Sequence, residues 1–338
     1  MRSLRPIHVA VAALLLCVLP GCRVTDWELW RPADARDSAF AVERILGVPY
    51  YDGPDADKLR HRADLFLPKG VQDYPVVILV HGGAWVLGDN RCCGLYSSVG
   101  EYLASQGIGV VMPNYRLSPG VKHPEHIKDV ARAFAWTKKH IGEHGGRVDQ
   151  LFLVGHSAGG HLTALLTMDE RHLKAEGCRT ADIRGVIGIS GVYHVPERDV
   201  EVFLGGGGPR SMRLDQMVPL RGQNVTDADR SARQGLPFSM NHLAHVVFGD
   251  DPETRRDASP MRYVRPGLPP FLLLNPQNEL PMLAGMSQDL ERMLRLHGCR
   301  ADRAVIERCN HNSVLFNAIR SSDPTAQAIV GFVHEHAH

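Results

Sequence analysis

One sixteen-residue stretch restricts this chain to very few folds. Leu151-Phe152-Leu153-Val154 is an apolar run of strand length, Gly155-His156-Ser157-Ala158-Gly159-Gly160 follows it, and His161-Leu162-Thr163-Ala164-Leu165-Leu166 opens like a helix. A Gly-x-Ser-x-Gly turn between a strand and a helix must reverse the chain sharply. The serine then takes a strained backbone, and side chains at the two flanking glycine positions would clash, which is why Gly155 and Gly159 stand there. Ser157 is predicted at the carboxyl end of a strand and the amino end of a helix, where free N–H groups favour developing negative charge. Strand, turn and helix together read as a nucleophile elbow.

A second motif stands upstream. Val76-Val77-Ile78-Leu79-Val80 is a continuous apolar run, as expected of a strand buried on both faces, and it leads into His81-Gly82-Gly83-Ala84-Trp85. This loop resembles the HGG-type oxyanion loop of the α/β-hydrolase esterases, which precedes the elbow in the chain as it does here. The remaining pattern alternates strand and helix. Strands are predicted at 62–68, 110–112, 186–191, 271–274 and 304–307, and helices at 95–106 and 124–141. That rhythm predicts an α/β fold, a mostly parallel central sheet with helices on both faces and ligands beyond the carboxyl ends of the strands.

A serine hydroxyl needs an adjacent base, itself oriented by a carboxylate, and in this fold the chain order is serine, acid, histidine. The loop after the 304–307 strand is Cys309-Asn310-His311-Asn312-Ser313, which makes His311 the expected base. His297 falls at a helix end and His334, His336 and His338 in a C-terminal helix or tail, where solvated surface positions are expected. The loop after 271–274 reads Asn275-Pro276-Gln277-Asn278-Glu279-Leu280-Pro281, and Glu279 is its one ionisable group. Glu279 is the expected acid. Asn278 is the alternative, since a neutral amide orients the ring but stabilises imidazolium less.

From about residue 45 to the C-terminus the chain resembles the carboxylesterases of the hormone-sensitive-lipase and kynurenine-formamidase neighbourhood. The carrying residues are His81 to Trp85, Asn114-Tyr115-Arg116-Leu117-Ser118-Pro119, Gly155 to Leu162, and Asn310 to Ser313. The resemblance implies Ser157 as nucleophile and His311 as base. It also implies an oxyanion hole from the backbone N–H groups of Gly83, Ala84 and Ala158, with Gly82 shaping the loop. Three features differ from the family pattern: Glu279 where aspartate is usual, Pro276 where glycine is common, and a long irregular insertion at about 199–245. The insertion is read as a lid over the site, with a mobile surface loop as the plain alternative.

Outside the domain, Met1-Arg2 and Arg5 precede an apolar core from Ile7 to Leu19, too short for a spanning helix and typical of an export signal. Leu19-Pro20-Gly21-Cys22 looks like a bacterial lipobox. Residues 1–21 are expected as a lipoprotein-type signal, Cys22 as the lipidated residue and 22–41 as a linker, with the hydrolase domain at 42–338. The protein is then anchored in the bacterial cell envelope through lipid alone, or else is secreted. Seven cysteines, of which five lie beyond the signal and lipobox, exclude a fully paired disulfide scaffold. A formal net charge of +1 and the lack of basic runs argue against a nucleic-acid partner. No His-Glu-x-x-His or Cys-x-x-Cys spacing occurs, so neither metal nor cofactor is expected. The expected activity is hydrolysis of a small-molecule carboxylic ester of short acyl chain through an acyl-enzyme. Hydrolysis of an N-formyl or aryl amide, a catalytically inactive binding scaffold and a lipid-anchored envelope protein are the alternatives.

Overall fold

The computed structural model describes residues 38–198, 212–213, 237–238 and 240–337. The expected signal, the lipidation residue Cys22 and most of the expected linker and of the 199–245 insertion lie outside the described residues. The end of that insertion is helical. Helix α5, Met240–Phe248, places Leu243, Val247 and Phe248 in the core. Among the described residues no helix is long and apolar enough to cross a membrane.

Eight strands form one sheet. They are β1 (Val42–Pro49), β2 (Arg62–Pro68), β3 (Tyr74–Val80), β4 (Gly109–Pro113), β5 (Gly146–His156), β6 (Ile183–Ile189), β9 (Phe271–Asn278) and β10 (Ala301–Asn310). The two-residue strands β7 (Met212–Arg213) and β8 (Pro237–Phe238) pair separately. The strand order is β1-β2-β4-β3-β5-β6-β9-β10. β2 runs antiparallel to both neighbours, and from β4 to β10 every pairing is parallel. The remaining helices are α1 (Leu95–Ser105), α2 (Glu125–His140), α3 (Ala158–Met168), α4 (Glu170–Ala175), α6 (Pro252–Asp257), α7 (Pro281–Leu296), α8 (Ser313–Phe316) and α9 (Pro324–His336).

The unbroken apolar runs reflect burial of both sheet faces. Along β3, Val76, Ile78 and Val80 join the core that holds Ile127, Val130 and Phe134 of α2 and Leu162 and Leu165 of α3. Val77 and Leu79 point the other way, into the core holding Val99 and Leu103 of α1 and Ile329 and Val333 of α9. A strand with period-two side chains and two apolar layers has no polar face to show in the sequence. β1 at the sheet edge has no fully buried residue, and it has no comparable apolar run.

Parallel register brings the strand ends to one edge. Val80 pairs with Gly155, His156 with Ile189, Ile189 with Leu274 and Asn278 with Asn310. The loops that begin at His81, Ser157, Glu279 and His311 therefore leave the sheet side by side. The last ladder is irregular. Ile306 pairs with Pro276 and Asn310 with Asn278, so three residues of β10 oppose Gln277 alone. Pro276 has no N–H to donate, and the bulge occurs where that ladder bond is missing. Arg308, at φ 57°, donates its N–H to the Gln277 side chain at 3.1 Å and carries the chain onward to His311.

Ile78 is fully buried at the middle of the sheet. Ile78→Ala is expected to lower unfolding free energy by about 2–5 kcal/mol through lost burial and a residual cavity. Urea titration checks this: the midpoint should fall while the slope stays constant.

Candidate active site

Ser157 sits between β5 and α3 at φ 55°, ψ −117°. Its N–H donates to the Ile189 carbonyl at 2.9 Å, which ties the turn to the neighbouring strand. A Cβ on Gly155 would be driven into the Gly159 carbonyl, and one on Gly159 into the carbonyls of Val80 and His81. The serine's strained conformation is thus enforced by contacts that only hydrogen atoms can make.

The structure brings Ser157, His311 and Glu279 into one hydrogen-bonded row. His311 Nε2 lies 3.0 Å from Ser157 Oγ, and His311 Nδ1 lies 3.0 Å from Glu279 Oε1. A carboxylate can only accept, so Nδ1 carries the hydrogen and Nε2 is left to receive the Ser157 hydroxyl. The Glu279 side chain is 3% exposed, which makes this a carboxylate shielded from water. The Leu280 N–H donates to Oε1 at 2.8 Å and the buried Asn275 amide to Oε2 at 3.1 Å. Burial alone would raise the Glu279 carboxyl. The His311 hydrogen bond and charge, helped by the Leu280 amide, outweigh it and hold the group below its ordinary value. Asn278, the alternative orienting residue, is exposed at the end of β9.

The loop after β3 lies against the elbow. Ala84 and Trp85 adopt φ 52° and 60°, and Gly83 φ 115°. The Gly83 carbonyl accepts from the N–H groups of Val86 and Leu87, which closes the turn. Ala158 opens α3, and the first N–H of a helix has no partner within it. Gly82 is the residue expected to shape this loop. Its N–H is already donated to the Tyr96 hydroxyl at 2.7 Å, and a Cβ there would crowd the His156 carbonyl and Ser157 Cβ. Its part is close approach.

Three further histidines surround this loop, and all are neutral. His81 stacks on Tyr115 with ring centroids 4.3 Å apart and donates from Nδ1 to the Gly82 carbonyl at 2.7 Å. Burial pushes His81 down to about 4, and His156 and His161 to about 3. His161 accepts from the Trp85 indole N–H at 3.2 Å and donates from Nε2 to the Ala258 carbonyl at 2.7 Å. His156 contacts the Tyr96 hydroxyl through Nδ1 and the His311 carbonyl through Nε2. The Asn114 to Pro119 segment braces the same loop. Tyr115 donates to the His81 carbonyl at 3.1 Å, the Ser118 N–H to the Trp85 carbonyl at 2.9 Å, and Arg116 is anchored on Asp129. The roles of Tyr96, His156 and His161 were not assigned from sequence, although both histidines stand inside the Gly155 to Leu162 motif. Among the described residues no cluster of three or more His, Cys, Asp or Glu could hold a metal ion.

The sign of the Glu279 shift sets a pH dependence. A carboxyl whose folded value is depressed contributes stability above its unfolded value, about 4.3, and loses it as pH falls through the folded value. The difference in thermal midpoint between wild type and Glu279→Gln should therefore be widest above about pH 5 and narrow toward pH 3. A gap that is constant, or that widens in acid, would contradict the assigned interaction.

The chain is similar to several known proteins. The BD-FAE family model matches residues 63–294. Esterase LipC of Mycobacterium tuberculosis (strain ATCC 25618 / H37Rv) is 30% identical over 338 residues, covering 97% of this chain and 75% of LipC. A probable isoprenylcysteine alpha-carbonyl methylesterase of Arabidopsis thaliana, ICMEL1, is 28% identical over 268 residues, covering 76% of this chain and 50% of that protein. Among solved structures, a truncated carbohydrate esterase from gut microbiota superposes with a TM-score of 0.66 at 16% identity, covering 91% of this chain and 99% of that one. Esterase B of Lactobacillus rhamnosis, solved inhibited by a C4-C4 tributyrin phosphonate, gives 0.64 at 19% identity, covering 99% and 97%. At such identity the structural likeness speaks for the fold. Family match and sequence relatives carry the rest: this chain belongs to the BD-FAE family of α/β-hydrolases and is a carboxylic ester hydrolase.

Proposed function

We propose that the protein cleaves short-acyl esters through a covalent acyl-enzyme on Ser157, with His311 as general base and acid and Glu279 as its orienting carboxylate. The observation that carries this reading is the row from Ser157 Oγ to His311 Nε2 and from His311 Nδ1 to Glu279, each contact at 3.0 Å. Ser157 Oγ attacks the acyl carbon as His311 Nε2 takes the hydroxyl proton. The carbonyl oxygen gains negative charge, and the C–O bond to the alcohol breaks as His311 returns the proton to the leaving oxygen. Water then adds to the acyl-enzyme by the same proton path and releases the acid and Ser157. Glu279 stays ionised throughout and stabilises the imidazolium.

The tetrahedral oxyanion is assigned to the backbone N–H groups of Gly83, Ala84 and Ala158. One such donor is worth about 2.7–4 kcal/mol in the transition state. Likeness to an esterase inhibited by a tributyrin phosphonate supports the short acyl chain.

Initial rates on p-nitrophenyl acetate, butyrate and palmitate test the proposal. Acetate and butyrate should be turned over in preference to palmitate. Ser157→Ala should reduce kcat/KM by about 10⁴-fold or more, and Glu279→Gln by about 10²–10⁴-fold. Full activity in Ser157→Ala would overturn the nucleophile, and a preference for palmitate would overturn the short acyl group. An inert wild type would leave a binding scaffold as the better reading.

A further inference from the structure

One buried side chain links the elbow to the His311 loop directly and to the oxyanion loop through Tyr96. His156 precedes Ser157 in the elbow, its Nε2 lies 2.7 Å from the His311 carbonyl oxygen, and its Nδ1 lies 3.0 Å from the Tyr96 hydroxyl. The same hydroxyl receives the Gly82 N–H at 2.7 Å. Tyr96 and His156 are 5% and 2% exposed, so water does not compete for these bonds. Phe316 packs edge-on against both rings, at 5.1 and 5.8 Å between centroids.

The hydrogens in this row can be ordered in one way. A carbonyl only accepts, so His156 Nε2 carries its hydrogen toward His311. The ring is neutral in its buried setting, which leaves Nδ1 as an acceptor. Tyr96 must then donate its hydroxyl hydrogen to Nδ1, and its oxygen lone pairs receive the Gly82 N–H. The result is a directed chain from Gly82 through Tyr96 and His156 to the backbone of His311. Every polar atom in it is satisfied, and reversing any link would place two donors or two acceptors face to face.

We propose that Tyr96 and His156 are positioning residues that fix the His311 backbone and the oxyanion loop relative to each other and to Ser157. The inference rests on the triad reading above and extends it. His311 needs Nε2 aimed at Ser157 while its Nδ1 stays on Glu279, and those two bonds alone leave its backbone free to rock. The bond to its carbonyl removes that freedom. The other end of the chain holds Gly82, next to the Gly83 and Ala84 amides. A displacement of about 1 Å in such a constellation costs on the order of 100-fold in rate.

Tyr96→Phe, His156→Leu, His156→Gln and the double variant Tyr96→Phe/His156→Leu separate positioning from simple core stability. Active sites are titrated with a fluorophosphonate, and kcat per titrated site, KM and thermal midpoint are measured for each. Tyr96→Phe and His156→Leu should each lower kcat per titrated site by about 10–100-fold while KM stays within about threefold. His156→Gln can donate to the His311 carbonyl and accept from Tyr96, and it should recover most of the loss. The double variant should be no slower than the slower single, because the chain is already broken.

A kcat per titrated site within about twofold of wild type in either single variant would overturn the proposal, even with a lower thermal midpoint. So would a double variant whose loss equals the product of the two singles. Should His156→Leu fail to fold, Tyr96→Phe, which deletes one hydroxyl, and His156→Gln decide the matter. A wild type without a titratable Ser157 would overturn the triad reading itself, and this inference with it.

Discussion

The site depends on how closely the elbow approaches the end of β3. Gly159 rests on the Val80 and His81 carbonyls, and Gly82 rests on the His156 carbonyl and Ser157 Cβ, with no room for a Cβ at either glycine. That contact places the loop amides beside the serine and forces Ser157 into its φ of 55°. The parallel register of β3 and β5, Val80 opposite Gly155, makes the approach possible. A methyl group on either glycine would separate the two loops or flatten the turn.

Around this contact, burial sorts the histidines by task. Among the described residues no carboxylate hydrogen-bonds to His81, His156 or His161, and desolvation outweighs the charges near them and keeps all three neutral, which fixes one ring nitrogen as donor and the other as acceptor. Each uses that asymmetry to hold a loop: His81 its own turn, His161 the Trp85 indole, His156 the link between Tyr96 and His311. His311 differs in facing the buried Glu279 carboxylate, which suits the proposed role of a ring that becomes charged during turnover. Glu279 in turn has Asn275 and the Leu280 amide to keep its second oxygen and its orientation fixed.

Much of this was legible in the sequence because local patterns determined it. The apolar runs at 76–80 and 151–154 could only be strands buried on both faces, and the glycines at 155 and 159 could only serve a tight reversal. His311 and Glu279 followed from their places after two strands, Glu279 as the one ionisable residue in its loop. The hydrogen-bond partners were not legible. Tyr96 reaches Gly82 across 14 residues and His156 across 60, while His156 reaches the His311 carbonyl across 155. No local spacing encodes such links, and a histidine in a motif reads the same whether it holds a carbonyl or packs in the core. For the same reason the partner of the Gly82 N–H, the Tyr96 hydroxyl, was not foreseen. β1 escaped notice as a strand because an edge strand with no fully buried residue has no apolar signature.

The central claim is that Ser157 is the nucleophile, activated by His311. The most direct test is peptide mapping by mass spectrometry after reaction with a fluorophosphonate, on wild type and on His311→Ala. One adduct, on Ser157, is expected in the wild type, with a rate of labelling reduced by orders of magnitude in His311→Ala. An active wild type labelled elsewhere, or a Ser157 that labels equally fast without His311, would contradict it.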